Sequence, residues 1–542
     1  MKIQNIKSIL PAAMMCLAVG SIASSCTGDL NTSPINSNIV QTFDQAAVFA
    51  KLYSSLAVSG QQGPSGEGDL NVDDEGMAGF YRLMWNMQEL PTDEAACTWT
   101  DNGTPELDIN SWTSSNAIVG NMYSRCTYDI TMCNHFLDNT SDTDQSESTT
   151  DLSKDTKHER AEARFLRVLN YYYLLDFFGN VPFSTTVMTT NPPRIERAAL
   201  YRWMVEELKT IQGNMYAAKA AAYGRADVAA DYFLLSRLYL NATVYTGTEN
   251  KANWDSAAIY SKKVIDSGFK LASKYQYLFE ADNGYGDGSV NDATNEIIFP
   301  IQQDGVKTNS YSGSLFLIAS IHNSDMPSWG STEGWAGNRA RYDLLEKFFP
   351  KGVTTTDEST LTSGLATLAG DSRALFFGKD RTQKMASLTT FKNGFSVTKW
   401  TNLRADGQAT SDTKFTDTDI PLFRAAEAYL TYAEALTRAN GGVATQTAID
   451  AVNVVRKRAG ATVLTSLTLD QILDERCREF YFEGQRRTDL IRFGYFGGTN
   501  QFLWEWKGGS VSGTTFDSHY NLYPIPDTDL NANSNLKQNS GY

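Results

Sequence analysis

Histidine is the scarcest chemically active residue of this 542-residue chain: His135, His158, His322 and His519 are all there are. They are scattered, with no close spacing among them and no matching Cys or carboxylate motif, so a zinc site or a histidine-based triad is not expected. Positive charge is also in deficit, with 47 Lys and Arg against 62 Asp and Glu and a formal charge of -15. A nucleic-acid partner needs a basic face that releases counterions, so that class is excluded and a neutral or cationic ligand fits better. Neither a Gly-x-Gly-x-x-Gly turn nor a Walker A loop occurs, so nucleotide chemistry has no support.

Long apolar runs are missing too. The longest candidate, Ile9 to Ala23, follows Lys2 and Lys7 and ends in Ser24-Ser25-Cys26. It falls short of the roughly 20 residues of a transmembrane helix and is expected to be an export signal. A cysteine placed after small residues resembles a bacterial lipoprotein cleavage site, with residues 1–25 removed and Cys26 acylated; an ordinary signal peptide is the alternative. The polar spacer Thr27 to Asn38 then serves as a tether, and the mature chain sits on a membrane through its lipid. Of the six cysteines, Cys16 leaves with the signal. Cys126 and Cys133 lie about 10 Å apart if helical, too far for a bridge, and free buried thiols are expected. Bridges involving Cys97 or Cys477 stay open.

What is present is a globular composition, 42% hydrophobic and 20% charged, rich in aromatics with 10 Trp and 26 Tyr. The dominant period is helical. "KHERAEARFLRVLNYYYLLDFFGNVPF" (Lys157 to Phe183) stops at Gly179 and Pro182. "RADVAADYFLLSRLYLNATVYTG" (Arg225 to Gly247), "NWDSAAIYSKKVIDSGFKL" (Asn253 to Leu271) and "LFRAAEAYLTYAEALTRANGG" (Leu422 to Gly442) behave alike. Small Ala alternates with Leu and Tyr, as closely paired helices require, and approximates the tetratricopeptide pattern of about 34 residues.

The expected fold is therefore all-α: tetratricopeptide-like hairpins over about 120–270 and 420–460, carrying long irregular insertions, in one domain from residue 26 to 542. Asp282 to Trp400 is rich in Gly, Ser, Asn and Thr and is expected to hold loops and short elements, where binding sites gather. Thr140 to Thr156, acidic and hydroxyl-rich, is expected to be a solvated loop.

One stretch, "PTDEAACTWTDNG" (Pro91 to Gly103), sets adjacent carboxylates before a tryptophan. A glycosidase needs two carboxyl groups facing each other about 5 to 9.5 Å apart, and neighbouring side chains diverge, so Asp93 and Glu94 suit that chemistry poorly. They are expected instead in the first turn of a helix, where its dipole favours acids. Carboxylates distant in sequence could still converge.

Near the C-terminus, "ILDERCREFYFEGQRRTDLIRFGYF" (Ile472 to Phe496) interleaves Glu475, Arg478, Glu483, Arg486, Arg487, Asp489 and Arg492 with Phe480, Tyr481, Phe482 and Leu490. This predicts a partly buried charge network tying a helix to the scaffold. Together with "AIDAVNVVRKRAG", "RAEARFLRVLNYYYLLDFFGNVPF" and "LYPIPDTDLNANSNLKQNSGY", it resembles the SusD/RagB family of Bacteroidetes outer-membrane lipoproteins, over essentially the whole mature chain and in the family's order. "GDLNVDDEGMAGFYR", "PTDEAACTWTDN" and "PIQQDGVKTNSYSGS" look closest to the family's starch-binding member.

The resemblance implies a non-catalytic, surface-exposed lipoprotein that captures starch or malto-oligosaccharide and delivers it to a SusC-like TonB-dependent transporter. It places binding loops at about 60–110 and 282–400. By the same resemblance Trp99, Tyr311 and Trp335 form an aromatic arc, and Asp74, Arg82 and Asn102 hydrogen-bond the glycan hydroxyls. The chain departs from the starch binder at Cys97, where that protein has a second tryptophan. No cofactor is required. A structural calcium ion at Asp287, Asp417 and Asp419 is the one metal the resemblance raises. Two alternatives stand beside this: the same role for another glycan, and a surface glycosidase.

Overall fold

Alanine-rich faces decide how the helices meet. Ala257, Ala258, Ser261 and Val264 are the buried side of one helix, and Ala425, Ala426, Ala428, Ala433 and Ala435 line its neighbour. Short side chains let two backbones approach closely, which is what the spacing of Ala in the sequence predicts.

The computed structural model describes residues 42–542 except 73, 102, 145, 149–150, 152–153, 287–288, 355–361 and 500–501. The signal segment and Cys26 lie outside the described residues, as do Asn102 and Asp287. Gln45–Tyr542 forms one compact unit. Its main helices are α1 (Gln45–Ala57), α2 (Phe80–Glu89), α3 (Ala117–Asp138), α4 (Thr156–Phe178), α5 (Arg197–Ile211), α6 (Val228–Leu240), α7 (Lys251–Asp266), α8 (Ala425–Ala439), α9 (Gln446–Arg458), α10 (Leu469–Phe480) and α11 (Arg486–Phe493).

Consecutive helices pack as hairpins, α3 on α4, α4 on α5, α6 on α7 and α8 on α9. Helix α7 packs on both α6 and α8, so the two stretches of repeats, far apart in sequence, form one continuous stack. The intervening insert carries the short elements expected of it. Helix ends follow local chemistry: Asp227 caps α6 through the Ala229 and Ala230 amides, Thr468 and Gln471 cap α10 reciprocally, and Gly179 at φ 74 ends α4.

Strands are few, all antiparallel and in pairs: β1 (Ala95–Cys97) with β5 (Asn338–Ala340), β2 (Val181–Pro182) with β3 (Arg194–Ile195), β4 (Ile297–Ile301) with β8 (Ile420–Arg424), and β6 (Phe376–Phe377) with β7 (Ser396–Val397). Two of them, β1 with β5 and β4 with β8, join the insert to segments outside it. Cys97, Cys126, Cys133 and Cys477 are free and buried. Among the described residues no helix is long and apolar enough to cross a membrane.

The charge-rich C-terminal stretch is buried almost throughout. Glu479, fully buried, binds Arg373, Arg424 and Arg458. Arg424 also reaches Glu296 at 3.0 Å and Glu483 at 2.7 Å, and Lys399 reaches Glu483 at 2.5 Å. Glu475 binds Arg373 at 2.7 Å, while Asp489 joins Arg476 and Arg492 at 2.7 Å each. Arg478 stands apart, donating to the Asp474 carbonyl one turn away.

Two expectations are corrected. Asp93 and Glu94 do not open a helix: they sit after α2 in the turn leading into β1, 3% and 1% exposed. Arg486, 393 positions downstream, closes a two-pronged bond on Asp93 at 2.8 and 2.7 Å, and Glu94 accepts the Phe482 amide. A tertiary counter-charge thus overrode the local preference. The Thr140–Thr156 loop is also not solvated to its end, since Asp155 is fully buried, accepting from the Tyr216 hydroxyl at 2.7 Å and pairing with Arg225 at 2.9 Å.

Burial alone would raise the Asp489 pKa, but Arg476 and Arg492 hold it down at about 2. A depressed folded-state pKa contributes stability that is complete above the unfolded value of about 3.9 and lost as pH falls through the folded one. Urea-unfolding midpoints are therefore expected to drop between about pH 4 and pH 2, a fall that Asp489→Asn removes in part. Glu479→Gln at pH 7, which takes one shared carboxylate from three buried arginines that keep Asp371, Glu475, Glu296 and Glu483 between them, is expected to cost about 3 kcal/mol; an unchanged urea midpoint would contradict the network's role.

Candidate functional site: an aromatic arc on the insert

Three half-buried rings meet where β1 and β5 pair. Trp99 and Trp335 have ring centroids 6.2 Å apart at 54°, and Trp335 and Tyr311 repeat that spacing and angle. The rings come from three segments of the chain, and a continuous chain of polar contacts fixes them. Trp99 Nε1 donates to the Trp335 carbonyl at 3.1 Å, and Trp335 Nε1 donates to Glu333 at 2.8 Å. Glu333 pairs with Lys414 at 3.3 Å, and Lys414 Nζ donates to the Tyr311 hydroxyl at 3.2 Å. The Tyr311 hydroxyl and the Glu333 carboxylate push the Lys414 pKa up. Each aromatic is held at its polar edge, and cations lie over two of the rings, Arg82 over Trp99 at 5.4 Å and Lys414 over Tyr311 at 5.1 Å.

Backbone contacts set the loop that carries Trp335. Its amide donates to Ala319 O at 2.7 Å, Ala336 donates to His322 O at 3.0 Å, and Gly337 donates to Ser320 O at 2.7 Å. Ala336 takes φ 52, a left-handed turn between Trp335 and the start of β5. Gly337 is required by space: a Cβ there would lie 2.4 Å from the Trp99 indole.

Arg82, on α2 and 4% exposed, brings the polar rim to the rings. Its guanidinium lies 5.4 Å over Trp99 and 5.2 Å over Phe316 and pairs with Asp74 at 3.4 Å. Gly76 makes room for it, since a Cβ would stand 2.2 Å from Nη1. Asp74 accepts the Gly76 amide at 2.7 Å and keeps a side chain 48% exposed. Next to Asp74 opens a cleft of about 340 Å³ lined by Asn71, Val72, Met77, Asp101, Ala117 and Asn121.

Trp99, Tyr311 and Trp335 therefore form one run of rings, with Arg82 and Asp74 at the Trp99 end. Asn102 falls outside the described residues. Lys414, Glu333 and Phe415, whose ring is 5.6 Å from Tyr311, were not singled out from the sequence. Glu333 sits two residues before Trp335 in "STEGW", a signal that could have found it. Lys414 lies 103 positions from Tyr311 and left none. Cys97 is 3% exposed in β1, its thiol pushed up to about 12 by burial, so it adds no face to the arc.

Other chemistry is sparse at this site. His322 is 3% exposed beneath Gly334, its pKa lowered by burial, and neither ring nitrogen has a partner among the described residues. It packs and does not relay protons. Asp417 and Asp419 spend their oxygens internally: Asp417 accepts from Gly305 N at 2.8 Å and Ser411 N at 2.7 Å, Asp419 from Gln303 N at 2.7 Å and Tyr223 Oη at 2.9 Å. Burial and then the charges of Asp417 and Asp304 push Asp419 up to about 7. Among the described residues no group of three or more His, Cys, Asp or Glu side chains is placed to hold a metal ion. With Asp287 outside those residues, the described donors do not assemble a calcium site, which would take six to eight oxygens.

A helical-repeat stack with an aromatic arc on its insert is the design of a ligand-binding scaffold. Residues 369–542 match the SusD family, and residues 36–240 match a second family model described as starch-binding associating with outer membrane. The starch-binding protein SusD of Bacteroides thetaiotaomicron is 42% identical over the full length of both chains. A SusD-like protein of Bacteroides ovatus is 24% identical across 64% of this chain and 62% of its own. Two solved structures share the fold: a SusD homolog of Bacteroides thetaiotaomicron (TM-score 0.68, 18% identity, 92% of this chain and 96% of that one) and surface glycan-binding protein A of the same organism with laminarihexaose (0.65, 20%, 91% and 98%). The chain belongs to the SusD family, and with it stands among non-catalytic glycan-binding proteins.

Gly337→Ala is expected to displace the Trp99 ring and change the near-UV circular dichroism of the Trp99–Trp335 pair while the far-UV spectrum holds. An unchanged near-UV signal would contradict the packing described.

Proposed function

We propose that this protein captures starch or malto-oligosaccharide on the Trp99–Trp335–Tyr311 arc and delivers it, uncleaved, to a TonB-dependent transporter. The carrying observation is the arc itself: three rings at a repeated 6.2 Å spacing, each fixed by its edge. A sugar ring presents a C–H face to an aromatic and hydroxyls to planar polar groups, so a curved row of rings suits a curved α-glucan. Arg82, Asp74 and Asn102 supply the polar contacts. The full-length likeness to a starch-binding protein supports the choice of glycan.

The two carboxylates in contact with the arc's polar groups are already engaged. Asp74 is committed to Arg82 and the Gly76 amide, and Glu333 to Trp335 and Lys414. The conspicuous pair Asp93 and Glu94 is buried among C-terminal residues. Acylation at Cys26 would hold the protein at the cell surface on the outer membrane, where the transporter lies.

The relative with laminarihexaose favours one alternative, that this fold can hold a β-glucan. Calorimetry with maltoheptaose, a cyclic α-glucan and laminarihexaose decides between them. Both α-glucans are expected to bind and laminarihexaose to fail. Trp335→Ala is expected to weaken α-glucan binding by on the order of tenfold or more, about 1.4 kcal/mol. Preference for laminarihexaose, unchanged binding by the variant, or release of reducing ends from maltoheptaose would overturn the assignment.

A further inference from the structure

A second cleft, of about 270 Å³, lies between residues 323–327 and 377–392. It shares no residue with the aromatic arc. Its lining includes Asp325, Met326, Lys379, Asp380, Arg381 and Lys392.

Arg381 is the unusual member. It is 4% exposed, yet among the described residues no carboxylate lies within ion-pair reach of it. Nε donates to Gly394 O at 2.7 Å, Nη2 donates to Phe391 O, and Nη1 meets only the thioether of Met326, at 3.9 Å. The guanidinium lies over the Phe391 ring, 4.4 Å from its centroid. Several buried arginines of this chain face carboxylates, as Arg373 holds Asp371 and Glu475, Arg424 holds Glu479, and Arg486 holds Asp93; Arg381 shares its lack of an ion pair with Arg339 and Arg487 among the described residues, and of these three it is the one that lines this cleft.

A buried cation without a counter-charge is expensive, and burial together with nearby Arg339 pushes the Arg381 pKa down to about 9. Arg339 is itself buried and donates to the carbonyls of Asn393, Gly337 and Leu388. Lys379 and Lys392 are exposed, and neither is ion-paired among the described residues. Three cations therefore face two carboxylates, Asp325 and Asp380, leaving the cleft net positive in a chain of formal charge -15. A guanidinium whose Nη1 has only a thioether as acceptor, seated over a ring and backed by two lysines, matches a planar or tetrahedral oxyanion.

We propose that this cleft binds an oxyanion, a carboxylate, sulfate or phosphate group on a ligand, with Arg381 as its buried anchor and Lys379 and Lys392 at its rim. The assignment is independent of the glycan held on the arc. An anion supplies the missing counter-charge, so binding stabilises the fold around Arg381.

The intact protein is titrated with sodium phosphate, sodium sulfate and sodium glucuronate, each against sodium chloride at matched ionic strength, and followed by thermal shift and calorimetry. At least one oxyanion is expected to raise the melting temperature saturably where chloride does not. Phosphate or sulfate alone assigns a tetrahedral ester as the ligand group, and glucuronate alone assigns a uronate.

Lys379→Ala/Lys392→Ala changes only exposed side chains. It is expected to keep the far-UV spectrum and maltoheptaose affinity of the wild type while weakening the oxyanion about fivefold to tenfold. No saturable effect from any of the three anions, or equal affinity in the double variant, overturns the proposal.

Discussion

Arg424 carries its charge at 1% exposure, and the rest of the molecule is arranged so that it can. Glu296, Glu479 and Glu483 surround it, coming from the edge of β4, from α10 and from the turn that follows. Arg424 itself ends β8 and opens onto α8. A single satisfied guanidinium thereby joins the insert, the last repeats and the C-terminal helices. Buried charge of this kind is a weak source of net stability but tolerates almost no other geometry. The same logic extends through Arg373 and Arg458, which converge on Glu479 from the loop before β6 and from α9.

That rigidity reaches the aromatic arc by a short path. Arg486 and Asp93 fix the turn before β1, β1 pairs with β5, and the two strands bring Trp99 and Gly337 into contact. The arc is thus built on strands braced by buried ion pairs, while its polar edges are tied by Glu333 and Lys414. Rings fixed in this way would spare a ligand stacking on them the cost of ordering side chains.

The helical scaffold was legible because it rests on a local rule. Alternating small and large apolar residues at helical spacing marked α4, α6, α7 and α8, and their bounds fall close to those expected. Residues of the arc were legible only through family resemblance, since no periodicity links Trp99, Tyr311 and Trp335. Asp93 and Glu94 misled because a carboxylate pair after Pro-Thr has a good local explanation, and its true partner stands at the other end of the chain. Arg478 misled in the opposite sense: it shares the character of its ion-paired neighbours but falls on a face where only a carbonyl awaits it.

Composition and local pattern by themselves determined the class of scaffold and the expectation of an exported chain without histidine-based or nucleotide chemistry, because each depends on residue type and near-neighbour spacing. Tertiary structure alone decided which charges are buried, that Cys97 lies inside β1, and that Lys414 and Glu333 tie the arc together. Those outcomes depend on which distant segments meet, and burial rewards a charge only when its partner arrives with it.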